Sequence, residues 1–296
     1  MIKKYPLLFF LLFSFALCSQ NSSFYKKSDS LHTKRRNAII VSESVLASGA
    51  LISLNELWYK QYPKSSFHIK NDYPQWKQMD KVGHFMTSYH VGKIGMDALN
   101  WAGVSKKNQL IYGASLGLIF LTSVEILDGF SEEWGASPSD FIANIAGTGF
   151  LIGQELLWKE QRISVKYSFH QTPFAKLRPT TLGEHYFQQV LKDYNGQTYW
   201  LSANIWSFNK EGAFPKWLNI ALGYGAEEML YGNTTKSILY TPYRQFYLSL
   251  DLDLTKIKTK SNFLKSVFSV VNFIKIPAPT LEINTKGQFK FHYLYF

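Results

Sequence analysis

The sequence predicts an α+β protein: an N-terminal bundle of about four helices, then an aromatic-rich antiparallel β domain forming a partial or small barrel. Three observations predict it. Apolar segments of helical length, joined by short connections, fill residues 37–160. From Gln161 the apolar period changes to alternation. Between Lys107 and Lys159 there is no Lys or Arg, yet Glu125, Asp128 and Asp140 sit inside otherwise apolar helical segments.

Residues 1–18 read as a secretory signal. Lys3 and Lys4 form a basic start, residues 7–17 are apolar apart from Ser14, and Ala16 and Cys18 offer small residues for cleavage. Export to a bacterial cell envelope follows. Cys18 is the chain's only cysteine, so the mature protein must be held by packing rather than by a disulfide. Residues 19–36 are polar and basic and read as a linker.

The helical domain spans 37–160 and the β domain 161–296. Helices are expected at 37–58, from Gln78 or Asp80 to Trp101, at 108–127 and at 138–158, with a Pro63- and Pro74-containing loop before the second. The third and fourth are apolar and long enough to span a bilayer. Their Gly113/Gly117 and Gly149/Gly153 pairs suit close helix approach. Helices one and two carry too many polar groups to face lipid all round, so a compact bundle is favoured. Strands are expected near 162–170, 199–205, 218–224, 245–254, 281–286 and 288–296, with a short amphipathic helix at 262–273.

Formal net charge is +11, and the surplus is uneven: residues 19–158 hold 13 basic and 12 acidic side chains, residues 159–296 hold 17 and 9. In an exported chain with dispersed basic residues, nucleic acid is a poor partner. A membrane lipid or lipopolysaccharide surface suits the basic half better.

Asp80, His84 and Ser88 recur every four residues and share one face of helix two; Asp140, Asn144 and Thr148 repeat the pattern in helix four. Ser115, Thr122 and Glu125 make a stripe in helix three with Asp128 at its end. Lys81 is the matching cation, expected to pair with Glu125 or Asp128. Each residue also has a bland explanation: Asp80 at a helix start, Ser137 and Asp140 as a capping box, His84 as a hydrogen-bonded core residue. Three polar stripes in apolar helices are best buried against one another. As chemistry, His84, Asp80 and Glu125 are candidates for acid–base catalysis, with Lys81, Ser88, Asp128, Asp140 and Asn144 as a binding cluster. His84, Asp128 and Asp140 are candidate ligands for a divalent metal of the oxygen-preferring kind. The leading expectation is binding of a lipid-linked or other envelope ligand. An envelope enzyme acting on a phosphoester and a purely structural module are the alternatives.

Met79-Asp80-Lys81-Val82-Gly83-His84-Phe85, Glu125-Ile126-Leu127-Asp128-Gly129 and Ser137 to Asn144 with Gly147 resemble a bacterial family over about residues 75–155: the YfiM-like predicted periplasmic lipoproteins of unknown function. The pattern is more distantly similar to VanZ-like membrane proteins, which are associated with resistance to a glycopeptide antibiotic. Two places depart from these patterns. Residues 131–134 read Ser-Glu-Glu-Trp where the VanZ-like pattern has a basic residue, and Leu17 precedes Cys18 where a lipoprotein signal has a small residue. The resemblance implies an envelope location and importance for Asp80, Lys81, His84, Glu125, Asp128, Asp140 and Asn144. It implies no activity.

Overall fold

The computed structural model describes residues 24–60, 62–233 and 239–295. The expected signal segment and Cys18 lie outside the described residues.

Helix α1, Thr33–Leu54, is capped by the His32 ring, which accepts the Arg35 N–H. It runs on into a wider π-helical turn, Asn55–Tyr59. Only Ile39 of α1 is buried, against Leu99 and Ala102, so most of its apolar surface is open. Helix α2, Met79–Trp101, packs between α3, Leu116–Gly129, and α4, Pro138–Trp158. By length and composition alone, Thr33–Leu54 and Lys106–Gly129 could each cross a membrane.

The expected continuous third helix is instead two pieces. Residues 106–113 form a helical turn with a π-helical part, Gln109–Gly113, before α3 begins. At the break Gly113 lies against α2, where a Cβ would fall 2.6 Å from the Met96 nitrogen. Of the expected glycine pairs, Gly113/Gly117 lies against α2 and Gly149/Gly153 does not. Gly117 meets the Ser88 carbonyl and Gly147 meets that of Phe85, closer than any side chain permits. Gly149 and Gly153 meet nothing within 4 Å. Helix α4 therefore turns its Gly147 side, not its Gly149 side, to α2.

Six strands follow as an antiparallel meander in the order β1 to β6: β1 Ile163–Phe169, β2 Gln197–Asn204, β3 Leu218–Glu227, β4 Tyr243–Leu252, β5 Ala278–Asn284 and β6 Phe289–Tyr295. The sheet curls without closing into a barrel. Across four strand positions, the Tyr295 hydroxyl of β6 comes within 3.1 Å of Thr198 Oγ1 on β2 and bonds Tyr247 on β4 at 2.8 Å. Outside β1, residues 273–275 pair with Tyr167 through two backbone bonds. Helix α5, Tyr186–Lys192, lies between β1 and β2, and α6, Asn262–Val271, between β4 and β5.

The two halves share a core. Trp76 and Met79 at the start of α2 pack with Phe174, Leu182, Tyr199 and Met229. Tyr89 and Leu151 pack with Val165 of β1.

Candidate functional site

The site begins with a strained turn. Trp76, Lys77 and Gln78, directly before α2, all have positive φ (50°, 50° and 64°). None is glycine, and such conformations cost about 1–3 kcal/mol each. Groups from the β half hold the turn. Trp76 N–H donates to the Gly232 carbonyl at 2.9 Å, the Tyr224 hydroxyl donates to the Lys77 carbonyl, and Arg244 donates to Gln78 Oε1 at 2.5 Å. The turn sets where α2 starts, and with it the positions of Asp80, Lys81 and His84.

Lys81 is buried and bonds three carboxylates: Asp72 Oδ2 at 2.6 Å, Asp80 Oδ2 at 2.9 Å and Asp140 Oδ2 at 2.9 Å. It does not take the expected partners Glu125 or Asp128. Burial works against its charge, but the three carboxylates outweigh it and raise its pKa above the usual lysine range. Asp72, from the loop before α2, was not anticipated; its other oxygen accepts from Ser137 Oγ at 2.5 Å and Ser139 Oγ at 3.1 Å.

His84 lies one turn along α2. Its Nε2 is 3.8 Å from Asp80 Oδ1, and its Nδ1 is 3.1 Å from Asn144 Oδ1 and 3.6 Å from Glu125 Oε1. Burial disfavours the imidazolium, but the carboxylates of Asp80, Asp140 and Glu125 prevail and raise its pKa. Asp80 Oδ1 also accepts from the Tyr194 hydroxyl at 2.8 Å. Its pKa is lowered, since His84 and Lys81 overcome the effect of burial.

Ser137 is the α4 N-cap, accepting the Asp140 N–H at 3.2 Å. The reciprocal half of the expected capping box is absent. The Asp140 carboxylate turns to Lys81, and Glu125 Oε2 takes the Ser137 N–H at 2.9 Å instead. Asp140 is thus released from the cap for the site. Burial pushes the Glu125 carboxyl up to about 8 and the Asp140 carboxyl up to about 7.

Deeper along α2, Ser88 Oγ donates to the Asn144 carbonyl and lies 2.8 Å from Thr148 Oγ1, which pins α2 to α4. Ser115 does not join the site; its hydroxyl returns to the Ile111 carbonyl. Asp128 accepts from the Tyr59 hydroxyl at 2.7 Å, and burial lifts it to about 6.

Three side-chain atoms around His84 are buried and, among the described residues, have no hydrogen-bond partner: Glu125 Oε1, Asp140 Oδ1 and Asn144 Nδ2. Asp80, His84 and Asp140 each offer a ligand atom within 4.8 Å of the others. Of the metal candidates read from the sequence, Asp128 is outside this set, and Asp80 stands in its place. Tyr59, Asp72 and Tyr194 were missed because hydroxyls and loop carboxylates outside the helical stripes carry no periodic signal.

Fold and site together define the class: an α+β protein in which three helices and a β-half tyrosine enclose an acidic cluster around one lysine and one histidine. Residues 71–153 match the model of the family described as predicted periplasmic lipoprotein (DUF2279). The match supports an exported cell-envelope protein, and the matched segment contains Asp72 and every expected cluster residue from Asp80 to Asn144. No curated protein and no solved structure matches the chain.

Proposed function

We propose that the helical half of this envelope protein is a binding module for a divalent cation, held by Asp80, His84 and Asp140 with Glu125 beside them. The observation that carries this reading is the trio of buried, unpartnered atoms, Glu125 Oε1, Asp140 Oδ1 and Asn144 Nδ2, next to a compact Asp–His–Asp set. An unsatisfied buried polar atom costs about 1–3 kcal/mol, and more when charged. Three around one histidine call for a ligand. Charge points the same way, because among the described residues Lys81 and His84 are the cations that Asp72, Asp80, Glu125, Asp128 and Asp140 share. Mostly carboxylate oxygens with one imidazole suit magnesium, calcium or manganese better than zinc. Enclosure suits a bare ion better than a large headgroup, as His84, Glu125 and Asp140 are largely shielded from solvent.

The test is native mass spectrometry and thermal unfolding of the purified mature chain with each ion. A bound ion and a raised Tm are expected; at a hundred times the Kd the gain is about 2.7 kcal/mol. His84→Ala and Asp140→Asn are expected to lose that gain while remaining folded. An unchanged Tm with all three ions and no bound mass rejects the reading.

A second reading, proton transfer by His84 in an envelope enzyme, draws on the Glu125 and Asp140 carboxyls lying near neutral pH, where acid–base groups work best. It predicts that His84→Gln keeps ligand affinity and loses only turnover, measured by product formation from a phosphoester substrate.

A further inference from the structure

The β sheet is inside out. On one face, pairing aligns Leu201, Leu222, Leu248, Leu281 and Phe291 in a single row across five strands, β2 to β6. Every one is exposed, Leu222 at 60%. The neighbouring row continues with Phe246, Ile283 and Phe289, also exposed. On the opposite face, Ser202, Ala221, Ser249 and Thr280 are aligned and buried. Ser249 and Thr280 bond each other at 2.8 Å, and Ser202 donates to Asp251 at 2.6 Å. A sheet in water arranges itself the other way, with apolar residues inside and polar residues out. An apolar outer face over a polar interior belongs to strands whose outer solvent is hydrocarbon.

Dimensions and charge identify that solvent. From Phe246 to Leu252 the outward apolar run of β4 is about 20 Å at ~3.4 Å per residue, and four strand spacings of ~4.8 Å give a similar width. An area of this size is at the upper end of what monomeric proteins expose to water. At the end where β2 leaves and β3 enters the sheet, Phe208, Phe214 and Trp217 are exposed. There Lys210, Lys216 and Lys256 lie over the Trp206 ring at 5.8, 4.2 and 5.8 Å. Glu160 is shared by Lys210, Lys256 and Arg162, and with Glu211 beside Lys210 the four cations, Lys216 included, still leave this end a positive excess. Aromatic rings with lysines at the border of an apolar band are what a membrane interface with anionic headgroups selects.

We infer that the exposed face of β2–β6 lies in the acyl-chain layer of a phospholipid bilayer, with the Trp206–Trp217 end among anionic headgroups. The curl supports this placement, because it turns the apolar rows to the convex outside and leaves the Trp200, Tyr247 and Tyr295 rings in contact with one another on the inside. The inference is independent of the cation site.

The test uses the full-length chain with Cys18→Ser and a single spin label at Leu248→Cys or, as a buried control, Ser249→Cys. It is mixed with vesicles of phosphatidylethanolamine and phosphatidylglycerol, or of phosphatidylcholine alone. At position 248, collision with oxygen is expected to exceed collision with a water-soluble nickel chelate once anionic vesicles are added. Affinity for the neutral vesicles is expected to be at least tenfold weaker, and Lys210→Glu with Lys216→Glu should reproduce that loss. Since any anchor elsewhere in the chain would also bring it to vesicles, the label's surroundings decide. A label open to the nickel chelate in vesicle-bound protein overturns the inference. So does a label closed to both reagents in a lipid-free dimer, which would make a second copy the partner.

Discussion

Glu125 has one carboxylate oxygen on the Ser137 N–H and the other unpartnered beside His84, so its charge is carried at a cost that depends on pH. Burial holds its folded pKa near 8, above the ordinary 4.5, and moves Asp140 up in the same direction. For groups raised in the folded state, stability is fully present below the unfolded pKa and is lost as pH rises through the folded one. His84, also raised, adds the same sign above its ordinary 6.5. The lowered Asp80 acts only below about its ordinary 3.8 and so outside this window. His90 and His170, lowered by burial, act with the opposite sign below their ordinary 6.5. The metal-free protein is therefore expected to lose Tm most clearly from about pH 6.5 to about pH 8. Glu125→Gln is expected to flatten the upper part of that slope. Thermal unfolding by circular dichroism checks it, and a profile that rises over the same range contradicts the assignment. In the sequence the acids and His84 were legible as anomalies in apolar helices. Their pairing was not: Lys81 went to Asp72, Asp80 and Asp140, a choice made by which helix faces meet.

At the scale of elements, glycine placement decides how near α2 can come to α3 and α4. A Cβ at Gly117 would lie 2.0 Å from the Ser88 carbonyl, whereas Gly149 has open space. Gly117→Val is expected to destabilise by about 3 kcal/mol or more through overpacking against backbone that has no room to move. It should also weaken cation binding, because Ser88 and His84 ride on the same helix. Gly149→Ala is expected to be neutral or to stabilise by up to ~1 kcal/mol through helix propensity. Urea denaturation of both variants measures this directly. The sequence pattern marks both glycines alike, since spacing alone is blind to which side of α4 faces inward. The boundaries of α4 and its Ser137 cap were legible, because Ser-Pro followed by an apolar run is a local signal. The break before α3 was not, being a response to Gly113 resting on α2.

For the whole molecule, the interior of the sheet is polar and depends on charge balance. Asp251 is fully buried, 2.8 Å from Lys166 and 3.9 Å from Lys275, which are also fully buried. Lys166 and Lys275 donate in addition to the Leu252 and Leu250 carbonyls. Removing the acid that both lysines share leaves two ammonium groups inside, so Asp251→Ala is expected to cost about 3–5 kcal/mol. Chemical denaturation checks the magnitude, and a loss below 1 kcal/mol would mean that water reaches the lysines. The same charges explain why the β half reads as merely basic in composition: part of its lysine surplus is internal.

The sequence by itself determined the class of fold, the switch from helix to strand near Gln161, the strand alternation and the helix-borne residues of the acidic cluster. These are local or periodic properties, carried by neighbours in the chain. Tertiary structure alone decided which partner each charge takes, that Asp72, Tyr59 and Tyr194 complete the cluster, and that the apolar side of the strands faces outward. Alternation specifies that two faces differ without saying which is buried. That choice rests on contacts between residues far apart in the chain, such as Thr198 with Tyr295 and Tyr194 with Asp80.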